Sequence, residues 1–197
     1  MNETAFTQLA GWSAVVNGVT SIASTVTLVL MFSVAGFFGP VNDAISVVWG
    51  LTFIPLAFLF YRLHQPVNAP LNLITAVVGI AAMLVFSVTQ TFLVLRVVTF
   101  EQSMGLVLSM GAIIGLWALL NGILARSGGT IPGGMTWLLI IFGLSFMITA
   151  LGWYQSGPQN PLVAAGFLIG AIAGPVWAIW LGKMLLMSDV AALLKGG

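Results

Sequence analysis

Long apolar stretches recur along the chain, and short polar or turn-forming stretches separate them. A helix needs about 20 mostly apolar residues to cross the hydrocarbon core of a bilayer. Gly, Pro and Asn are concentrated between the apolar stretches, as is typical of turns. Because these connections are short, we expect neighbouring helices to run antiparallel. The pattern predicts an all-α bundle of six transmembrane helices in a single domain: Trp12–Phe37, Ile45–Tyr61, Leu73–Val98, Met104–Ala125, Met135–Tyr154 and Pro161–Met187.

The two ends of the chain are less apolar than the predicted spans. Residues Asn2 to Ala10 place Phe6 and Leu9 on one side of a short segment, which predicts a leader that lies in the membrane interface. The tail from Ser188 to Lys195 predicts one or two exposed turns after the last helix.

The composition indicates a membrane protein and excludes several kinds of site. Of 197 residues, 60% are hydrophobic and 5% are charged, and the mean hydropathy is +1.14; soluble domains carry about 25% charged residues. The net charge of +1 gives no support for nucleic-acid binding. The absence of cysteine excludes thiolate metal sites and cysteine nucleophiles. No metal, haem or nucleotide motif is present, so any cofactor stays unknown from the sequence.

The basic residues predict the orientation of the chain in the membrane. With six spans, both termini lie on one side, which receives four cations, whereas the other side receives only Arg96. Cytoplasmic loops carry an excess of Lys and Arg, so both termini are predicted to be cytoplasmic. The four cations are Arg62, Arg126, Lys183 and Lys195.

The last apolar stretch carries three glycines at intervals of four residues, Gly166, Gly170 and Gly174. Four residues are about one helical turn, so these glycines form a stripe on which a second helix can pack closely, as in a glycine zipper. We predict that the fourth helix packs on this stripe through Gly111 and Gly115. The alternative is that a helix of a second subunit packs there.

Proline lies inside two of the predicted helices, at Pro55 and Pro175. Proline removes a backbone donor and crowds the preceding turn, so a kink is predicted in each helix.

The charged residues lie at or beyond the ends of the predicted spans, and the polar residues deeper in the spans are uncharged. This disfavours proton pumps and carboxylate-coupled transporters, which place ionisable residues in the membrane. Gln90 and Asn121 are the costliest of these residues to bury. They form either a small polar cavity reached through the two kinks or, with the Ser and Thr residues, hydrogen bonds that hold helices together. The single histidine, His64, is predicted to be an interfacial residue at the end of the second helix.

Seven tryptophans are present. Trp12, Trp49, Trp137 and Trp153 lie near predicted helix ends, as in an aromatic belt. Three others lie deeper and either line a groove for a lipid or pigment or fill space beside glycines: Trp117, Trp177 and Trp180.

Four features in succession carry a resemblance to known proteins: Trp12 near the start, the turn from Phe38 to Ala44, the tripeptide Phe100-Glu101-Gln102, and the ending from Gly174 to Gly182. The chain resembles a group of bacterial multi-pass membrane proteins of similar length that have no assigned activity. The resemblance implies a bacterial, multi-pass membrane protein. We expect it in the plasma membrane.

Two function hypotheses follow from these features. The close-packing glycine faces without buried charge favour a non-catalytic subunit of a membrane assembly, with a membrane protein or a second copy as its partner in addition to lipids. The alternative is a carrier or channel for a small neutral or lipidic substrate, motivated by the kinked helices and the buried amides. No catalytic residue set can be assembled at membrane depth, so we do not expect an enzyme.

Overall fold

The computed structural model describes residues 2–187, which fold into six α-helices without a strand. Each helix is long and apolar enough to cross a membrane, which confirms the predicted six-helix, multi-pass bundle. The helices are α1 (Glu3–Ser33), α2 (Phe38–His64), α3 (Ala69–Val94), α4 (Phe100–Gly128), α5 (Gly133–Ser156) and α6 (Pro161–Met187).

The first five helices begin two to nine residues earlier than the apolar pattern predicts, and α2 and α4 illustrate the reasons. The predicted turn from Phe38 to Ala44 is the start of α2, and Pro40 fits there since the first turn of a helix needs no N–H partner. The α4 helix begins at Phe100 because Thr99 and Gln102 form a reciprocal capping box. Asp43 and Glu101 therefore lie inside helices rather than in loops.

The predicted interfacial leader is wrong, because its residues are the first turns of α1. Asn2 caps this helix by accepting a hydrogen bond from the Ala5 N–H. Phe6 and Ala10 are buried against the bundle, and the Arg62 guanidinium lies 4.4 Å from the centre of the Phe6 ring. The predicted tail, Ser188 to Lys195, lies outside the described residues.

The six helices form a closed ring in chain order. Each packs against its neighbours in sequence, and α6 closes the ring by packing against α1. We call the end of the bundle that carries Glu3, His64 and Met187 the proximal end, and the end that carries Ser33 and Pro161 the distal end. The cations Arg62, Arg126 and Lys183 lie towards the proximal end, whereas Arg96 follows the distal end of α3.

The glycine stripe of α6 packs against α5, not against α4 as predicted. A Cβ added to Gly166 would lie 2.6 Å from the Ser145 carbonyl oxygen, and one added to Gly170 would lie 2.6 Å from Ser145 Oγ. Gly174 likewise meets the ring of Phe142. The prediction failed because sequence spacing identifies a close-packing face but not the helix that occupies it.

The α4 glycines face the opposite side of the same helix α5. A Cβ on Gly111 would lie 3.3 Å from the Phe146 ring, and one on Gly115 would lie 2.6 Å from the Gly143 carbonyl oxygen. The α5 helix is therefore held between α4 and α6 by glycine on both sides. These five glycines are used within the chain, and all are buried.

Both predicted proline sites lie inside uninterrupted helices. Pro175 is buried, and its carbonyl oxygen lies 3.1 Å from a Cβ added to Gly18, so it forms part of the close α1–α6 contact. Because Pro175 has no N–H, it cannot donate to the carbonyl of Ala171 one turn earlier. Pro55 is half-buried on α2.

Candidate functional site

A cavity of about 230 Å³ lies inside the distal half of the ring, and all six helices contribute to its wall. The helices α1 and α6 contribute four residues each, more than any other helix. The lining residues are Ser21, Ser24, Thr25, Leu28, Ser46, Trp49, Phe86, Val107, Leu108, Gly111, Phe142, Phe146, Thr149, Gly166, Phe167, Gly170 and Ala171.

The wall of the cavity is mostly apolar and carries no charged side chain. Trp49, Phe142 and Phe146 form its floor towards the proximal end, with the rings of Trp49 and Phe146 stacked at 5.7 Å. An engineered apolar cavity of about 150 Å³ is large enough to hold benzene. The cavity therefore has room for a small organic molecule.

Hydroxyl groups from three helices form the polar part of the wall. Thr25 and Thr149 donate to carbonyls of their own helices, at 2.9 and 2.8 Å, which leaves their oxygens as acceptors. Within residues 2–187, the Ser21 hydroxyl has no hydrogen-bond partner. The cavity thus offers one free donor and several acceptors to a bound molecule.

A column of aromatic rings fills the axis of the bundle below the cavity. Phe53 lies 4.9 Å from Trp49, and Phe60 lies 5.3 Å from His64, measured between ring centres. The rings fill the axis between the cavity, which we call the chamber, and the proximal end. We call these residues the aromatic column: Trp49, Phe53, Phe60, Trp117, Phe142, Phe146 and Trp177.

The three deep tryptophans do not share one groove. Trp117 and Trp177 are 2% and 0% exposed, and both rings lie within 6.4 Å of the Phe53 ring. Trp180 is 42% exposed on the outside of α6. Trp117 and Trp177 therefore fill space in the core, and neither lines the cavity. Trp49, predicted to lie in an interfacial belt, is also buried in the column because α2 begins before Ile45.

Gln90 and Asn121 do not meet in one polar cavity. Gly79 on α3 faces Trp117 on the antiparallel α4. Gln90 lies eleven residues beyond Gly79 towards the distal end, and Asn121 lies four residues beyond Trp117 towards the proximal end. At about 1.5 Å of rise per residue, the two amides are about 20 Å apart along the axis. Neither residue lines the cavity.

Asn121 belongs to a buried hydrogen-bond network with His64, which is fully buried rather than interfacial. Asn121 Nδ2 donates to the Trp117 carbonyl at 2.8 Å, so its Oδ1 faces His64 Nδ1 at 3.1 Å. This arrangement places the proton of a neutral imidazole on Nδ1, and Nε2 then accepts from Thr130 Oγ1 at 3.0 Å. The network fastens the α4–α5 connection to α2 at the proximal end.

The two amides predict opposite mutational effects. Asn121→Leu leaves His64 Nδ1 without its acceptor and removes the side-chain donor to the Trp117 carbonyl, which we expect to lower the free energy of unfolding by about 1–3 kcal/mol. Gln90 Oε1 is buried without a partner. Gln90→Leu removes that acceptor, and we expect it to be neutral or stabilising. Thermal unfolding of both variants in one detergent is the measurement; an equal loss for both would contradict this difference.

The uncharged polar residues of α1 hold it to α2. Asn17 Nδ2 donates to the Trp49 carbonyl and to Thr52 Oγ1, both at 3.0 Å. Further towards the distal end, Ser24 Oγ donates to Asn42 Oδ1 at 2.7 Å. These bonds correspond to the predicted helix-joining role of polar residues.

Most of the cavity residues were not identified from the sequence, and the reason is their distribution. Ser21, Ser24 and Thr25 were covered only by the general prediction that Ser and Thr residues join helices, and the residues that complete the chamber are spread over five other helices. The one local signal was that hydroxyls on α1 recur at helical spacing within an apolar span.

Comparison with known proteins adds no functional information: the chain matches no protein-family model, no curated protein and no solved structure. Its function is therefore argued from the chamber and from the helices that form it.

Proposed function

We propose that this protein binds and carries a small, uncharged and largely apolar molecule in the chamber at the distal half of the ring. The observation that supports the proposal is a cavity of about 230 Å³ lined by all six helices and free of charged side chains. Apolar pockets with a few placed polar groups are the usual form of small-molecule sites.

The chemistry of the wall defines the ligand. Phe86, Phe142 and Phe146 offer aromatic faces to an apolar body. The free Ser21 hydroxyl and the acceptor oxygens of Thr25 and Thr149 suit one hydroxyl or carbonyl group. An ion would be unpaired in this chamber at a high desolvation cost, so the ligand is neutral. The aromatic column, which fills the axis, favours a carrier over an open channel.

The subunit hypothesis loses its main support from this arrangement. Its motive was a set of glycine faces available to a partner, and Gly166, Gly170, Gly115 and Gly111 all pack within the chain against α5. Binding of a membrane protein partner or of a second copy remains a prediction, and no surface is assigned to it. We also propose that the protein is not an enzyme.

Binding is tested with 4-bromobenzyl alcohol, a neutral aromatic alcohol whose bromine quenches tryptophan fluorescence. Purified protein in lipid nanodiscs is expected to show saturable quenching, because Trp49 forms part of the cavity floor. Ala171→Phe fills the chamber from α6 and should abolish the saturable component. The matched control is Ile172→Phe, since Ile172 is 68% exposed on the outside of the same helix. Quenching that never saturates, or that both variants lose equally, would contradict the proposal.

We further propose that the protein lies in a bacterial plasma membrane with both termini in the cytoplasm. The proximal end carries Arg62, Arg126 and Lys183, which supports a cytoplasmic position for that end. A fluorescent protein fused at Gly197 should fluoresce, and alkaline phosphatase at the same position should be inactive. Active phosphatase with no fluorescence would reverse the orientation and place the chamber in the cytoplasmic leaflet.

A further inference from the structure

We propose that the ligand enters the chamber sideways from the bilayer, through the seam between the distal halves of α1 and α6. The substrate class is therefore a neutral amphiphile dissolved in the membrane, not a solute taken from water. This inference rests on the proposed function, and it goes further by naming the route and the source of the ligand.

The distal half of α1 is the least buried wall of the ring. From residue 19 to residue 33, no residue of α1 is buried, whereas eight residues of its proximal half are. The same distal half contributes four residues to the chamber wall: Ser21, Ser24, Thr25 and Leu28. The chamber is thus bounded on this side by a helix segment in which no residue is buried.

The glycine contacts that bring α1 and α6 close together lie towards the proximal end. A Cβ on Gly182 would lie 2.8 Å from the Gly11 carbonyl oxygen, and one on Gly18 would lie 3.1 Å from the Pro175 carbonyl oxygen. The last such contact is between Gly174 and Ser21, at 3.7 Å. Beyond it, the remaining α6 glycines face α5, and α6 presents Phe167 and Ala171 to the chamber.

Hydrogen bonds do not close this seam. Across the described residues, no side-chain hydrogen bond joins α1 to α6. The distal α1–α2 seam, in contrast, is held by Ser24 and Thr27, which both donate to Asn42 Oδ1. A distal opening is therefore expected on the α6 side of α1 and not on its α2 side.

The distal α5–α6 and α4–α5 seams are held by direct contact. Between α5 and α6, a Cβ on Gly152 would lie 2.9 Å from the Val163 backbone nitrogen. Between α4 and α5, the Tyr154 hydroxyl donates to the Gly105 carbonyl at 2.7 Å. A groove runs along the outside of α3 and α4, but α3 presents only Phe86 to the chamber, and Phe86 is buried.

The route is tested by spin labelling, for which the cysteine-free chain is suited. A nitroxide is placed on Thr25→Cys, which faces the chamber, and on Val26→Cys, which is 51% exposed on the outside of α1. Protein in liposomes is then exposed to oxygen, which concentrates in lipid, and to nickel ethylenediaminediacetate, which stays in water. A label on Leu28→Cys repeats the measurement at a second chamber position in case the first variant does not fold.

If the ligand enters laterally, oxygen should enhance the relaxation of the chamber label more than nickel does. The ratio of the oxygen effect to the nickel effect should equal the ratio at the Val26→Cys label. Lateral entry also predicts that 4-bromobenzyl alcohol reduces the oxygen effect at Thr25→Cys and leaves it unchanged at Val26→Cys. A nickel effect exceeding the oxygen effect would show entry from water, and no effect of either reagent would show a sealed chamber. Each result overturns the lateral route, while the quenching experiment with Ala171→Phe tests binding separately.

Discussion

Trp177→Ala is expected to lower the free energy of unfolding by about 3 kcal/mol, the low end of the range for removing a buried Phe or Trp ring in soluble proteins. Trp177 is fully buried, and its ring stacks on Phe142 at 6.4 Å and on Phe60 at 6.1 Å. The low end applies because helices separated in a bilayer stay in an apolar solvent, so that lost packing dominates the cost. Thermal or denaturant unfolding in mild detergent measures the loss.

Two controls isolate the packing of this ring. Trp180→Ala, three residues further along α6, removes a 42% exposed side chain and should cost less than about 1 kcal/mol. Trp177→Phe keeps an aromatic ring in the column and removes an indole N–H that is buried without a partner, so it should cost much less than the alanine variant. Equal losses for Trp177→Ala and Trp180→Ala would refute the core position of Trp177.

Gly143→Ala is the second substitution with a large expected effect, at about 3 kcal/mol or more of lost stability. Its Cβ would lie 2.5 Å from the Gly115 carbonyl oxygen and 2.6 Å from the Leu119 nitrogen. Both atoms belong to the α4 backbone, so no side-chain rotation can relieve the overlap, and the two helices must separate. Separation weakens dispersion contacts along the whole α4–α5 interface.

Gly133→Ala is the matched control, because Gly133 lies in the same helix and a Cβ there meets nothing within 4 Å. It should be neutral or slightly stabilising, since alanine favours helix over glycine. Gly115→Ala should resemble Gly143→Ala, because its Cβ would lie 2.6 Å from the Gly143 carbonyl oxygen. A Gly143→Ala protein that melts with the wild type would refute the close α4–α5 approach.

Local chemistry explains why the helices could be predicted but several of their starts could not. Hydropathy is a sum over about 20 residues, and it identified all six spans. Helix starts depend on single polar groups such as Asn2 and Thr99, which a hydropathy sum treats as loop residues. As a result, the leader and the turn before Ile45 were assigned outside helices that they in fact begin.

The candidate site could not be predicted, because its parts are distant in the sequence and each part has an ordinary local appearance. Gln90 and Asn121 were predicted as site residues because an amide side chain is costly to bury. They lie about 20 Å apart because α3 and α4 run antiparallel. His64 looked interfacial at a helix end, but Asn121 and Thr130, from other parts of the chain, enclose it.

The sequence by itself determined the class of protein, since a chain with 5% charged residues and six long apolar stretches can bury its backbone polar groups in a bilayer only as helices. It also determined that Gly166, Gly170 and Gly174 form a close-packing face, because spacing by four fixes a stripe on a helix. Only the tertiary structure decided that α5 occupies that face, that the ring closes between α1 and α6, and that a chamber lies in its distal half. Those features depend on which helices are neighbours, and in a membrane that choice depends on shape and packing rather than on hydropathy.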